Sequence, residues 1–155
     1  MFKRLGAPGE RWTLLIEAPL LRLGKRLDAV LLAPGVVCVI EFKIGARSYA
    51  AEDRVQTERY AQSLKDFHAV SQSRLVVPIL CAEHAPTVQA AEGIVDGVAS
   101  LVLTNAAGLA DALRAIGLVA CLCRSKCSFR PLGVRRPRGF CLPTLNADGA
   151  GYRSR

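Results

Sequence analysis

The apolar residues of this chain change period several times, and each change marks a predicted element. Arg11 to Ala18 (RWTLLIEA) is an apolar run of strand length, and Pro19 to Gly24 leads through Gly24-Lys25 into another. From Leu27 to Gly45 the chain reads LDAVLLAPGVVCVIEFKIG, two strand-like runs broken at Ala33-Pro34-Gly35. After Lys43 the period lengthens: Gln56, Tyr60, Leu64 and Phe67 recur at helical spacing, and Glu52 and Asp53 fit a first turn. With Ser48 as N-cap, the pattern predicts a helix from about Ala50 to Phe67. Arg74 to Cys81 (RLVVPILC) is continuously apolar, as in a strand buried on both faces, with Pro78 the one objection. Ala82 to Gly97 reads as a loop, Val98 to Thr104 as a strand, and Asn105 as the N-cap of a short helix ending at Gly117. The fold class expected is α/β, a mixed central sheet with flanking helices in the order β-β-β-α-β-β-α.

Three charges interrupt the two runs between Leu27 and Gly45: Asp28, Glu41 and Lys43. Alternation along a strand puts Glu41 and Lys43 on one face and Ile40 and Phe42 on the other. A hairpin loop of two or four residues sets Asp28 opposite Glu41, whereas a three-residue loop pairs Asp28 with Ile40. Pro34-Gly35 suits a type II turn, which is not the most favoured hairpin turn, so a four-residue loop is expected. Facing carboxylates repel, and a proton, a cationic neighbour or a metal ion relieves the repulsion. Mg²⁺ suits such a pair, because it takes oxygen ligands and is held by one or two protein carboxylates. The plainer alternative pairs Asp28 with Arg26 or Lys25 and leaves Glu41 and Lys43 on a solvated face. Glu17, the acid of the first run, either reaches the same cleft or faces solvent from an edge. Gln56 and Tyr60 stand where an amphipathic helix prefers leucine, and so are expected to face something polar.

Composition changes this picture little. The 155 residues suffice for one domain, expected over 11–117 after a mobile N-terminal end at 1–10. No apolar run is long enough to span a bilayer, and MFKRLGAPGERW lacks the apolar segment of a signal peptide, so a cytoplasmic protein with reduced cysteines is expected. The net charge of +8 suggests a nucleic-acid partner until it is divided along the chain. Through Ile116 there are 13 basic and 12 acidic residues, whereas Gly117 to Arg155 carries 8 against 1. The basic stretch 118–155 loses all periodicity and is expected to be irregular or disordered. Its cysteines at 121, 123, 127 and 141 match no usual zinc spacing. His68, at a helix end, and His84, in a loop, read as structural. There is no G-x-x-x-x-G-K-[ST] phosphate loop, which argues against nucleotide hydrolysis.

Asp28 followed by the Glu41-Phe42-Lys43 triplet, with Gln56-Thr57-Glu58-Arg59-Tyr60 on the next helix, resembles the PD-(D/E)XK nuclease superfamily and its RecB-like branch with a Q-x-x-x-Y motif. The phrases LGKRLDAVLL, CVIEFKIGA and YAQSLKDFH are similar to a bacterial family in which such a domain precedes a P-loop helicase-like domain. The likeness covers roughly Arg11 to Ile116; no helicase-like portion follows, and most of a preceding helix is missing, which suggests a trimmed chain. The resemblance implies a restriction-endonuclease-like core and hydrolysis of DNA phosphodiester bonds. It implies Mg²⁺, replaceable by Mn²⁺, held by Asp28, Glu41 and the Phe42 backbone carbonyl, with Glu17 as a further candidate. Lys43 would act on the attacking water and on the phosphate charge, while Gln56 and Tyr60 would orient substrate or the lysine. The implied partners are DNA and a helicase-type P-loop protein. The alternative is an inactive nuclease-like module, or a fragment of one, that binds nucleic acid or such a helicase without cutting.

Overall fold

Three apolar runs separated by tight breaks open the fold as an antiparallel meander: β1 (Thr13–Leu20), β2 (Lys25–Ala33) and β3 (Val36–Lys43). Helices α1 (Ala51–Phe67) and α2 (Ala69–Gln72) then carry the chain to β4 (Leu75–Ala82), parallel to β3. Short strands β5 (Ile94–Val95), β6 (Val98–Ala99) and β7 (Val102–Thr104) follow, and α3 (Leu109–Lys126) comes last. The result is a mixed α/β fold, a seven-stranded sheet in the order β1-β2-β3-β4-β6-β5, with β7 also paired to β4. The computed structural model describes residues 12–20, 24–88 and 93–126, with side chains through 117. The expectations for 1–10, for the irregular stretch over 127–155 and for the cysteine side chains at 121, 123, 127 and 141 lie outside the described residues. Among the described residues no helix is long and apolar enough to cross a membrane.

The β2–β3 turn differs from the four-residue loop expected. Ala33 pairs with Val36, leaving Pro34 and Gly35 as a two-residue loop. Proline fixes its own φ, and Gly35 takes the φ of +83° that the second central position of a type II turn requires. Either loop length preserves the register, so the acids stay in step.

Each face of the sheet has its own core. Val37, Val39 and Val76 pack beneath Tyr60 and Ala61 of α1. On the opposite face Ala29, Leu31, Cys38, Ile40 and Ile79 pack with Trp12 and with Leu109, Leu113 and Ile116 of α3. Helix α1 begins one residue later than expected, and its N-cap is Ala50, without a side-chain cap, rather than Ser48. Its buried stripe holds Thr57, Tyr60 and Ala61, and Phe67 is 55% exposed instead of closing the stripe. His68 is the C-cap of α1, its Nδ1 3.1 Å from Ser71 Oγ, in keeping with a structural role.

Pro78 sits inside β4 after all, and the single strand expected from Val98 to Thr104 is two strands because of it. Val76 donates its N–H outward to Gly97 O at 3.0 Å, and Pro78, two residues on, would point the same way. Having no N–H, it falls in the gap between the β6 pairing at Val76 and the β7 pairing that starts at Ile79. The segment read as a loop before Gly97 contributes β5, which pairs with β6 across the Asp96-Gly97 turn.

Asn105 Oδ1 accepts the Gly108 N–H at 2.8 Å, which caps the turn leading into α3 and not the first residue of the helix itself. The helix runs from Leu109 through Gly117 to Lys126, so 118–126, expected to be irregular, is helical. One interior glycine costs about 1 kcal/mol, too little to stop the apolar, helix-forming run that follows it. The glycine is needed for a close approach: a Cβ at 117 would lie 2.5 Å from the Trp12 ring. Gly117→Ala therefore gains helix propensity but forces the indole aside, at about 1–3 kcal/mol for overpacking. A net loss of about 1 kcal/mol is expected, read as a lower urea midpoint at unchanged m-value. A midpoint equal to or above wild type would show that Trp12 yields freely.

Candidate active site

The register of β2 and β3 runs from Ala33–Val36 to Ala29–Ile40, so Asp28 and Glu41 come next in step. They do not pair. The ladder ends at Ala29–Ile40, and Asp28 Oδ2 instead accepts the Phe42 backbone N–H at 2.8 Å. The cause lies on the other side of β2. Register is continuous between β1 and β2 except opposite Asp28, where Glu17 adopts φ +52°, a left-handed conformation unfavourable for a residue with a Cβ. Alternation breaks at this kink: Leu27 and Val30 pack on the α1 side, whereas Ala29 and Leu31 pack on the α3 side. Asp28 thus stands at a seam between the two faces, close enough to Glu41 to raise its affinity for a proton.

Glu41 and Lys43 point toward α1, as alternation predicts. Helix α1 meets them with residues one turn apart. Gln56 Nε2 donates to Glu41 Oε1 at 3.0 Å and lies 3.0 Å from the Tyr60 hydroxyl, while Tyr60 itself is buried. Lys43 Nζ lies 3.4 Å from Glu41 Oε1 and 3.0 Å from Asp53 Oδ1. Gln56 therefore steadies the Glu41 carboxylate. Asp53 is the residue that sequence reasoning missed, treated only as a favourable first-turn acid. Its signal was present, because 53, 56 and 60 fall on one helical face.

Burial and Asp28 push the Glu41 carboxyl above its ordinary range, more strongly than Lys43 draws it down. Burial tends to strip the proton from Lys43, but Asp53 and Glu41 outweigh it, so the ammonium holds its proton more tightly than a free lysine. One oxygen stands apart: Glu41 Oε2 is buried without a hydrogen-bond partner. Leaving a buried acceptor unmet costs about 1–3 kcal/mol, which a cation at that oxygen would offset.

No family model, curated protein or solved structure matches this chain. The chemistry of the site is therefore the guide to function. Among the described residues no three His, Cys, Asp or Glu side chains form a group able to hold a metal ion. Glu17 does not make a third: its carboxylate pairs with Arg26 at 3.0 Å, both side chains about 70% exposed. Two carboxylates and a backbone carbonyl still fit a Mg²⁺ ion, which keeps several waters and needs few protein ligands. The N–H and C=O of a strand residue point to the same side, so the Phe42 carbonyl faces β2 with the N–H that Asp28 holds.

Other reactive side chains contribute nothing here. Burial pushes the Cys38 thiol up to about 12 and raises that of Cys81, so both stay protonated and inert. His84 is exposed, 3.8 Å from Glu83.

Proposed function

We propose that this protein is a metal-dependent nuclease that hydrolyses DNA phosphodiester bonds, built on the PD-(D/E)XK plan. The observation that carries the reading is the Asp28, Glu41 and Lys43 constellation on adjacent strands, with Glu41 Oε2 buried and unmet. A meander followed by a helical crossover into a parallel strand is the order a restriction-endonuclease-like core requires, and it supports the same reading.

Asp28, Glu41 and the Phe42 carbonyl are the groups that would hold Mg²⁺. Bound there, the ion supplies Lewis-acid stabilisation of phosphoryl oxygen charge and an acidified water. The protein's own residues do the rest. Lys43, held between Asp53 and Glu41, lends positive charge to the phosphate as negative charge builds in the transition state. Gln56 fixes the Glu41 carboxylate through Oε1 and leaves Oε2 unpaired, the oxygen that would be available to hold the ion, and the buried Tyr60 fixes Gln56 in turn.

The test is incubation of the purified chain with single- and double-stranded DNA in Mg²⁺, in Mn²⁺ and in EDTA. Cleavage in either metal and none in EDTA is expected. DNA binding that persists in EDTA with no cleavage in any metal would replace this reading with the non-cutting module.

A further inference from the structure

We propose that Asp53 is a positioning residue: it draws the Lys43 ammonium away from Glu41 and thereby keeps Glu41 Oε2 open. The inference rests on the proposed function for the purpose of that open oxygen, but its geometry stands independently. An ammonium has three donors and can bridge both oxygens of one carboxylate. Lys43 is placed to do so, being already 3.4 Å from Oε1 of a carboxylate whose second oxygen is buried and unmet. It does not, and the shorter contact is the one to Asp53, at 3.0 Å.

Two features make Asp53 an effective anchor. It lies in the first turn of α1, where a carboxylate is favoured by the helix dipole. Its backbone carbonyl accepts the Thr57 hydroxyl at 2.7 Å, and Thr57 is fully buried, so this turn is tied to the core at the point where it meets Lys43. One helix face then divides the work: Asp53 holds the cation and Gln56 holds the carboxylate. Without Asp53, Lys43 would close on Glu41 as an internal counter-ion and occupy the oxygen that a metal needs.

Asp53→Asn removes the charge and keeps the shape, and Asp53→Glu keeps the charge. Crystal structures of the metal-free wild type and both variants give the first readout. Lys43 Nζ is expected to move onto Glu41, within hydrogen-bond distance of Oε2, in Asp53→Asn and to stay with residue 53 in Asp53→Glu. Mn²⁺ titration gives the second, with about a 10-fold or greater loss of affinity expected in Asp53→Asn and recovery in Asp53→Glu. Glu52→Gln, one position earlier and exposed, is the control expected to change neither. A lysine that stays in place in Asp53→Asn overturns the inference, as does a lower melting temperature with no lysine movement. Should the lysine move while wild type binds no Mn²⁺, the positioning role stands and the metal-dependent reading fails.

Discussion

Lys43→Ala is expected to slow metal-dependent DNA cleavage by about 10²–10³-fold, the usual loss when one group that stabilises transition-state charge is removed. The side chain is three-quarters buried and lies against two carboxylates, so its charge is set into the site. Binding of substrate is expected to change much less than the rate, because the interaction strengthens as charge develops. Single-turnover cleavage of a labelled duplex by wild type and variant measures both quantities. An unchanged rate would remove Lys43 from the chemistry. The fold should tolerate the change, since alanine in β3 leaves the Val37–Val39 core intact. Circular dichroism confirms that point alongside the kinetics.

Glu41→Gln is expected to abolish cleavage and, at neutral pH, to stabilise the fold. The wild-type carboxyl is raised above its ordinary value by burial and by Asp28. A carboxyl with a higher pKa folded than unfolded binds its proton more tightly in the native state, so ionising it favours unfolding. The handicap is fully present above the folded value and disappears as pH falls through that value to the ordinary glutamate range. Glutamine keeps the acceptor for Gln56 and lacks the charge. A gain of about 1 kcal/mol at pH 7, roughly 2–4 °C in melting temperature for a chain of this size, is expected to shrink toward acid pH. Lys43 has the opposite sign: its raised value adds stability that is complete below the ordinary lysine range and is lost as pH rises through the folded value. The two effects therefore separate on the pH axis. A variant no more stable than wild type at pH 7 would mean that Glu41 already has a cation or proton in the resting protein.

The Glu41 site is kept at some expense to stability. Glu41 is buried, near a second acid, with one oxygen unmet, and Glu17, opposite that second acid on β1, holds a left-handed backbone. Functional sites are where such costs concentrate.

The amino-acid sequence by itself determined the meander, the crossover helix, the buried strand β4 and the shared face of Glu41 and Lys43, because alternation and helical periodicity are local properties that side-chain order dictates. It left Asp28 open between Glu41 and Ile40, because loops of two or four residues give one register and a loop of three the other, and the Ala33–Val36 pairing chose the first. Tertiary structure decided the rest. The kink at Glu17 that moves Asp28 onto the Phe42 N–H depends on how β1 meets β2, and no pattern within either run encodes it. The split of β6 from β7 depends on where Pro78 presents its missing N–H to a strand twenty residues away or more. The need for a glycine at 117 depends on Trp12, more than a hundred residues earlier, lying where a Cβ would stand. The hold of Asp53 on Lys43 likewise appears only when α1 is laid across β3, because contacts between elements arise from packing and not from spacing along the chain.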